Sequence, residues 1–203
     1  MSDLGERLVS GAIPFLACLN QCSRESAWKT KEHWQTFDED KSRKAKSLAC
    51  LWQESINDAA PKLEQLNGEG AGIFLTINRT DGKGRKKQNV QELRGWWVDI
   101  DVKDAKVNSQ EFDLEQLPLE PTMVVKTPGG WHIYWLAVES MSCANDETRR
   151  NEHEAELKGI QSRLAHFGAD KNTCTVHQVL RLPGFWHRKG EPRSITLLKV
   201  DGP

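Results

Sequence analysis

Four short runs rich in β-branched and aromatic residues dominate the middle of the chain: "GIFLTIN" (72–78), "GWWVDID" (95–101), "TMVVKT" (122–127) and "WHIYWLA" (131–137). Each is bounded by glycine, proline or polar turn residues, the pattern of β-strands. Around them, "EHWQTFDED" (32–40) alternates as a further strand. Residues 44–66 carry leucines near helical spacing, with Pro61 expected to split them into two helical pieces, and "NVQELR" (89–94) reads as a brief helical turn. A charged amphipathic helix is predicted over 146–167, with Leu157, Ile160, Leu164 and Phe167 inward and Gly168 as its stop. "VHQVLRLPG" and "SITLLKV" close the chain as strands. The order predicts an α/β (α+β) fold with a mixed central sheet flanked by helices.

At 203 residues the chain can bury a substantial core. No apolar run is long enough to span a bilayer and no secretory signal opens the sequence, so we expect a cytoplasmic protein without a membrane partner. Five cysteines, an odd number without paired CxxC spacing, read as reduced thiols. The formal net charge of −1 does not advertise a nucleic-acid binder, yet "GKGRKK" (82–87) and "RLPGFWHRKGEPR" (181–193) are local basic clusters.

Asp99 and Asp101 end the second run, two residues apart, so in a strand they project together on the face away from Val98 and Ile100. Alone, such a pair fits either a metal-ligating site or a solvated strand end. "KTPGGWHIYW" (126–135) feeds a glycine-rich turn into a strand at His132, offering backbone amides and an imidazole to one small volume; it suits phosphate oxygens, or a core histidine beside an ordinary turn. Asp170 follows the helix-ending glycine in "FGADKNTC" (167–174). In "VLRLPGFWHRKGEP" (179–192), Arg181 projects from a strand, and His187, Arg188 and Lys189 lie just past the Pro-Gly break, donors that suit a triphosphate or a nucleic-acid backbone.

Taken in order, these signals resemble the primase-polymerase domain of the archaeo-eukaryotic primase superfamily, in the branch found in plasmid, phage and mobile-element replication proteins. Its motifs hDhD/E, sxH and hD look like "VDID" (98–101), "TPGGWH" (127–132) and "AD" (169–170), with Thr127 and Pro128 in place of a frequent Ser-Gly pair. The resemblance runs from about Trp34 to about Leu198 and draws its specificity from the conjunction of short motifs.

The resemblance implies a primase-polymerase core with an RRM-like part over residues 31–203, preceded by a helical extension over 1–30. It implies two divalent ions, Mg²⁺ or Mn²⁺, held by Asp99, Asp101 and Asp170 as catalytic acids. Thr127, Gly129, Gly130 and His132 would hold the incoming nucleoside triphosphate, with Arg181 and Lys189 as further phosphate contacts. Arg79, Arg85 and Lys86 would sit on a loop near a single-stranded DNA template, with His187 also on the DNA side. Trp131 or Trp186 would stack on a base or serve packing. The expected activity is nucleotidyl transfer that makes or extends primers, with a replicative helicase as a partner in cis or trans. A two-metal nuclease and an inactive replication-origin or strand-binding module remain as alternatives at this point.

Overall fold

The computed structural model describes residues 3–101 and 114–201; residues 1–2, 102–113 and 202–203 of the expected domain spans lie outside it. The chain opens with α1 (Asp3–Arg7), a π-helical turn (Leu8–Ala12), α2 (Ile13–Leu19) and α3 (Arg24–Ala27). It continues through β1 (Lys31–Asp38), β2 (Leu51–Ser55), α4 (Ile56–Gly68), β3 (Ala71–Thr76), β4 (Arg79–Thr80) and β5 (Val90–Asp101). Then come β6 (Met123–Thr127), β7 (Gly130–Ser142), α5 (Glu147–Arg163), β8 (Val179–Arg181), β9 (Trp186–His187), β10 (Arg193–Ser194) and β11 (Thr196–Val200). Among the described residues the strands form a sheet in the order β2-β1-β3-β8, a second in the order β11-β6-β7-β5-β4, and a β10-β9 ribbon. This is the mixed α+β architecture read from the sequence.

Alternation decides which face each sheet buries. Trp34, Ile73, Leu75 and Leu180 of the first sheet and Trp97, Met123, Val125 and Tyr134 of the second join one core, filled from the side by Phe15 and Leu16 of α2 and by Ile56 and Leu63 of α4. The N-terminal helices therefore contribute side chains to the central core. On the opposite face of the second sheet, Val98, Ile100 and Ile133 pack with Leu164, Phe167 and Ala169. Arg94 of β5 ties the sheets together: its guanidinium reaches both carboxylate oxygens of Glu32 on β1, at 3.0 and 3.1 Å, and the carbonyls of Thr76 and Ile77.

Two expected helical segments are strands. Residues 51–55 pair antiparallel with β1, Trp34 opposite Trp52, because edge pairing satisfies their backbone while Trp52 turns to the core. Residues 90–94 begin β5 and pair with β4 and β7, which buries Val90 and Leu93 beside Cys143 and Val176. Nor does Pro61 interrupt α4, whose apolar face of Ile56, Ala59, Ala60, Leu63 and Leu66 outweighs the one amide that proline lacks. Ser55 caps that helix by accepting the Asp58 amide at 3.3 Å.

The predicted last helix is present but its α-helical part ends at Arg163, a 3-10 turn over Ala165–Phe167 carries the chain to Gly168, and part of its inner face is polar. Arg150 donates to the Cys143 carbonyl, His153 lies 3.1 Å from the Gly95 carbonyl, and Gln161 donates to that of Trp97. All five cysteines are free thiols. Among the described residues no helix is long and apolar enough to cross a membrane.

Candidate active site

Gly95 is where β5 is re-aimed. The register against β7 shifts between Leu93 and Gly95, and a Cβ at Gly95 would stand 2.4 Å from the Trp135 carbonyl oxygen. Such a bulge resets which residues face the core, and beyond it Trp97, Asp99 and Asp101 share one face. Asp99 lies opposite His132, which lies opposite Val125; Asp101 lies opposite Gly130, which lies opposite Thr127. A Cβ at Gly130 would fall 1.7 Å from the Ile100 carbonyl oxygen, so only glycine lets β7 start this close to the acids.

One face of three strands thus changes character along its length. Trp97, Tyr134 and Met123 are buried in the core, Tyr134 edge-on to Phe15 at 5.5 Å, and the next rows are the two acids, His132 and Thr127. The far wall comes from the other sheet and the ribbon, which bring Arg181, His187, Lys189 and Arg193 across a cleft of about 410 Å³ whose near side is Asp99, Asp101, Thr127, Gly129 and His132.

Among the described residues, several polar atoms in and under this cleft are buried without a protein partner: Nδ1 of His132, Nη1 of Arg181, Nδ1 of His187 and the hydroxyl of Tyr134. Leaving such groups buried and unpaired costs about 1–3 kcal/mol each. His132 is 3.7 Å from Asp99, too far for a hydrogen bond; burial, and then the Arg181 charge, push its pKa down to about 3. It is a neutral imidazole that can donate one N–H. His187 is lowered by burial and Arg181 in the same way. Beneath Asp99, burial and the acid's charge raise the Tyr134 phenol well above its ordinary value, so it stays protonated.

Glu39, just past β1, organises the basic wall, and nothing in the sequence pattern singled it out. Its buried carboxylate accepts from Arg181 Nη2 and from the Arg188 amide and lies 3.9 Å from His187 Nε2. This fixes one edge of the Arg181 guanidinium, whose Nη1 is buried against Gly72 with no partner among the described residues.

Asp170 stands beside the first acid of the pair, and other expected residues fall elsewhere. Asp170 pairs with the outer edge of β5: its amide donates to the Asp99 carbonyl at 2.8 Å, next to the Ile100–Ala169 bridge. Its carboxylate accepts from the amide and side chain of Asn172, and Asp170 is not among the residues lining the cleft. Among the described residues no group of three or more His, Cys, Asp or Glu side chains is placed to hold a metal ion. The site offers a two-carboxylate pair of hard oxygen donors facing basic groups, a chemistry that fits Mg²⁺ or Mn²⁺ bridging to phosphate rather than a closed protein cage.

Arg79 stands in β4 rather than on the basic loop, paired with Glu92 at 3.0 Å and with Asn20. Arg85 and Lys86 line a separate cleft of about 750 Å³, where Arg85 donates to Gln35 and to the His177 carbonyl. Trp131 lies on the face opposite the acids, because it pairs with Ile100, and it packs under Lys126 at 3.5 Å. Trp186 lines a groove beside Arg7 and Gly184. Neither indole borders the acidic cleft.

This fold is the one found in archaeo-eukaryotic primase-polymerase domains. The chain superposes on the archaeo-eukaryotic primase domain of the cyanophage S-2L primase-polymerase with a TM-score of 0.65, at 14% identity, covering 95% of this chain and 90% of that one. It superposes on the catalytic domain of primase RepB′, determined in complex with initiator DNA, with a TM-score of 0.58 at 14% identity, covering 93% and 86%.

The chain belongs to the RepB DNA-primase N-terminal domain family, whose model matches residues 62–202. It is also 26% identical over 140 residues to a replication protein of Clostridium perfringens, matching 64% of this chain and spanning about a third (32%) of that relative's length.

Proposed function

We propose that this chain is a replication primase that makes or extends primers on single-stranded DNA by nucleotidyl transfer. The observation that carries the proposal is one cleft in which two strand-borne carboxylates, Asp99 and Asp101, face His132, Arg181 and His187, each with a buried nitrogen that has no partner among the described residues. Carboxylates on one side and phosphate-directed donors on the other suit a substrate that arrives as a nucleoside triphosphate.

In this reading Arg181, held by Glu39, and neutral His132 grip non-reacting phosphate oxygens, and Lys189 balances their charge. Thr127 and Gly129 shape the floor beside Asp101. Asp99 and Asp101, with Asp170 entering from the neighbouring edge, would hold two divalent ions. When bound, those ions would lower the pKa of the primer 3′-hydroxyl and neutralise charge on the departing pyrophosphate. The 3′-oxygen forms its bond to the α-phosphorus, the α–β bridging oxygen leaves with pyrophosphate, and the hydroxyl proton passes to solvent.

The test is incorporation of labelled nucleotides on single-stranded DNA with Mg²⁺ or Mn²⁺. Template-dependent products support the proposal. Degradation of the DNA with no nucleotide requirement would replace it with a nuclease.

A further inference from the structure

Among the described residues no helix covers the outer face of the β2-β1-β3-β8 sheet, and this face connects the two clefts. Registers place Leu51, Gln35, Phe74 and Arg181 in one row across the four strands. Gln35 and Leu51 line the basic cleft, and Arg181 lines the acidic one. Two strand spacings, about 10 Å, separate Gln35 from Arg181, a distance that one or two nucleotides of an extended single strand can span.

Between them the surface is aromatic. Phe74 carries the Arg181 guanidinium over its ring at 4.6 Å, and Phe37 meets it edge-on at 5.4 Å with 37% of its own surface exposed. The opposite face of these strands is already committed to the core through Trp34, Ile73, Leu75 and Leu180, so Phe37 and Phe74 face outward by parity rather than for want of space. On the basic side, Lys83, Arg85 and Lys86 border the cleft, and among the described residues no carboxylate does.

We propose that this face is a track for single-stranded DNA, on which bases stack against Phe37 and the edge of Phe74 while the backbone follows the Lys83–Lys86 loop into the acidic cleft. The combination of aromatic platform and one-signed rim selects an unpaired polyanion with exposed base faces. A duplex keeps its bases stacked on one another and offers nothing to Phe37. The proposal rests on the primase reading for the direction of the strand, but not for its binding.

Fluorescence anisotropy of a labelled oligodeoxythymidine, without nucleotide or divalent ions, tests it. Phe37→Ala should weaken binding about tenfold and Phe37→Trp should retain it. Lys83→Glu with Lys86→Glu should weaken binding and make its salt dependence shallower, by about 0.7 of a unit for each phosphate that a lysine no longer neutralises. A 2-aminopurine base quenched by the wild type should stay bright with Phe37→Ala. Wild-type affinity and quenching in Phe37→Ala, or equal affinity for the duplex, would overturn the track. A wild-type chain that binds single strands through Phe37 yet makes no primer would support the track and sink the primase reading.

Discussion

The amide of Asp170 donates to the carbonyl of Asp99 at 2.8 Å, so the acid that follows the last long helix stands in register beside the first acid of the β5 pair. With Ile100 bridged to Ala169, parity puts the Asp170 and Asp99 side chains on the same side of that edge. If Asp170 completes the ligand set, Asp170→Asn should lower metal-dependent incorporation about 100-fold. It should leave the thermal midpoint nearly unchanged, since an amide oxygen can still accept from Asn172. Near wild-type turnover in that variant would leave a two-acid site.

His132 offers its N–H from a buried, neutral ring. We expect His132→Ala to raise KM for the nucleoside triphosphate at least tenfold while single-stranded DNA affinity stays the same. Equal nucleotide affinity in wild type and variant would remove His132 from the phosphate site.

Glu39 touches no substrate in this arrangement and acts through Arg181. Glu39→Gln keeps an acceptor for the Arg188 amide but removes the charge that pins the guanidinium. Steady-state kinetics should show KM for nucleotide rising about tenfold with kcat within about twofold, the split expected of a positioning residue whose loss weakens ground-state and transition-state binding alike. A fall in kcat alone would point instead to direct participation.

His153, buried under β5 near the Gly95 carbonyl, has its pKa lowered, chiefly by burial. The unfolded chain therefore binds a proton near pH 6.5 that the folded chain resists, so this contribution to stability is complete above that pH and shrinks as pH falls below it. His33 and His177 are lowered by burial too and act with the same sign. Urea midpoints for His153→Gln should decline less steeply than wild type between about pH 6.5 and 5. Parallel declines would exclude it.

What was legible in the sequence is what local chemistry decides. The alternating runs at 72–78, 95–101, 122–127 and 131–137 are strands because their side chains can bury on a pleated surface whatever lies around them. Parity within "VDID" put both acids on one face before any neighbour was known, and the glycine-rich turn before His132 was legible, though not the close approach that Gly130 makes against β5. Residues 51–55 and 90–94 were misread as helical because pairing partners far along the chain, β1 and β7, override weak local spacing. Glu39 was invisible for the same reason: a turn carboxylate acquires its role only when β8 and β9 carry Arg181 and His187 to it. Trp131 could be assigned its face only once the register of β7 against β5 was known.

The central claim is that Asp99 and Asp101 serve nucleotidyl transfer, and incorporation of a labelled nucleotide on single-stranded DNA with Mg²⁺ or Mn²⁺ tests it most directly. The wild type should extend or start chains, and Asp99→Ala and Asp101→Ala should each lose activity by about 1000-fold or more while unfolding at a midpoint close to that of the wild type. Incorporation at the wild-type rate by either folded variant would contradict it.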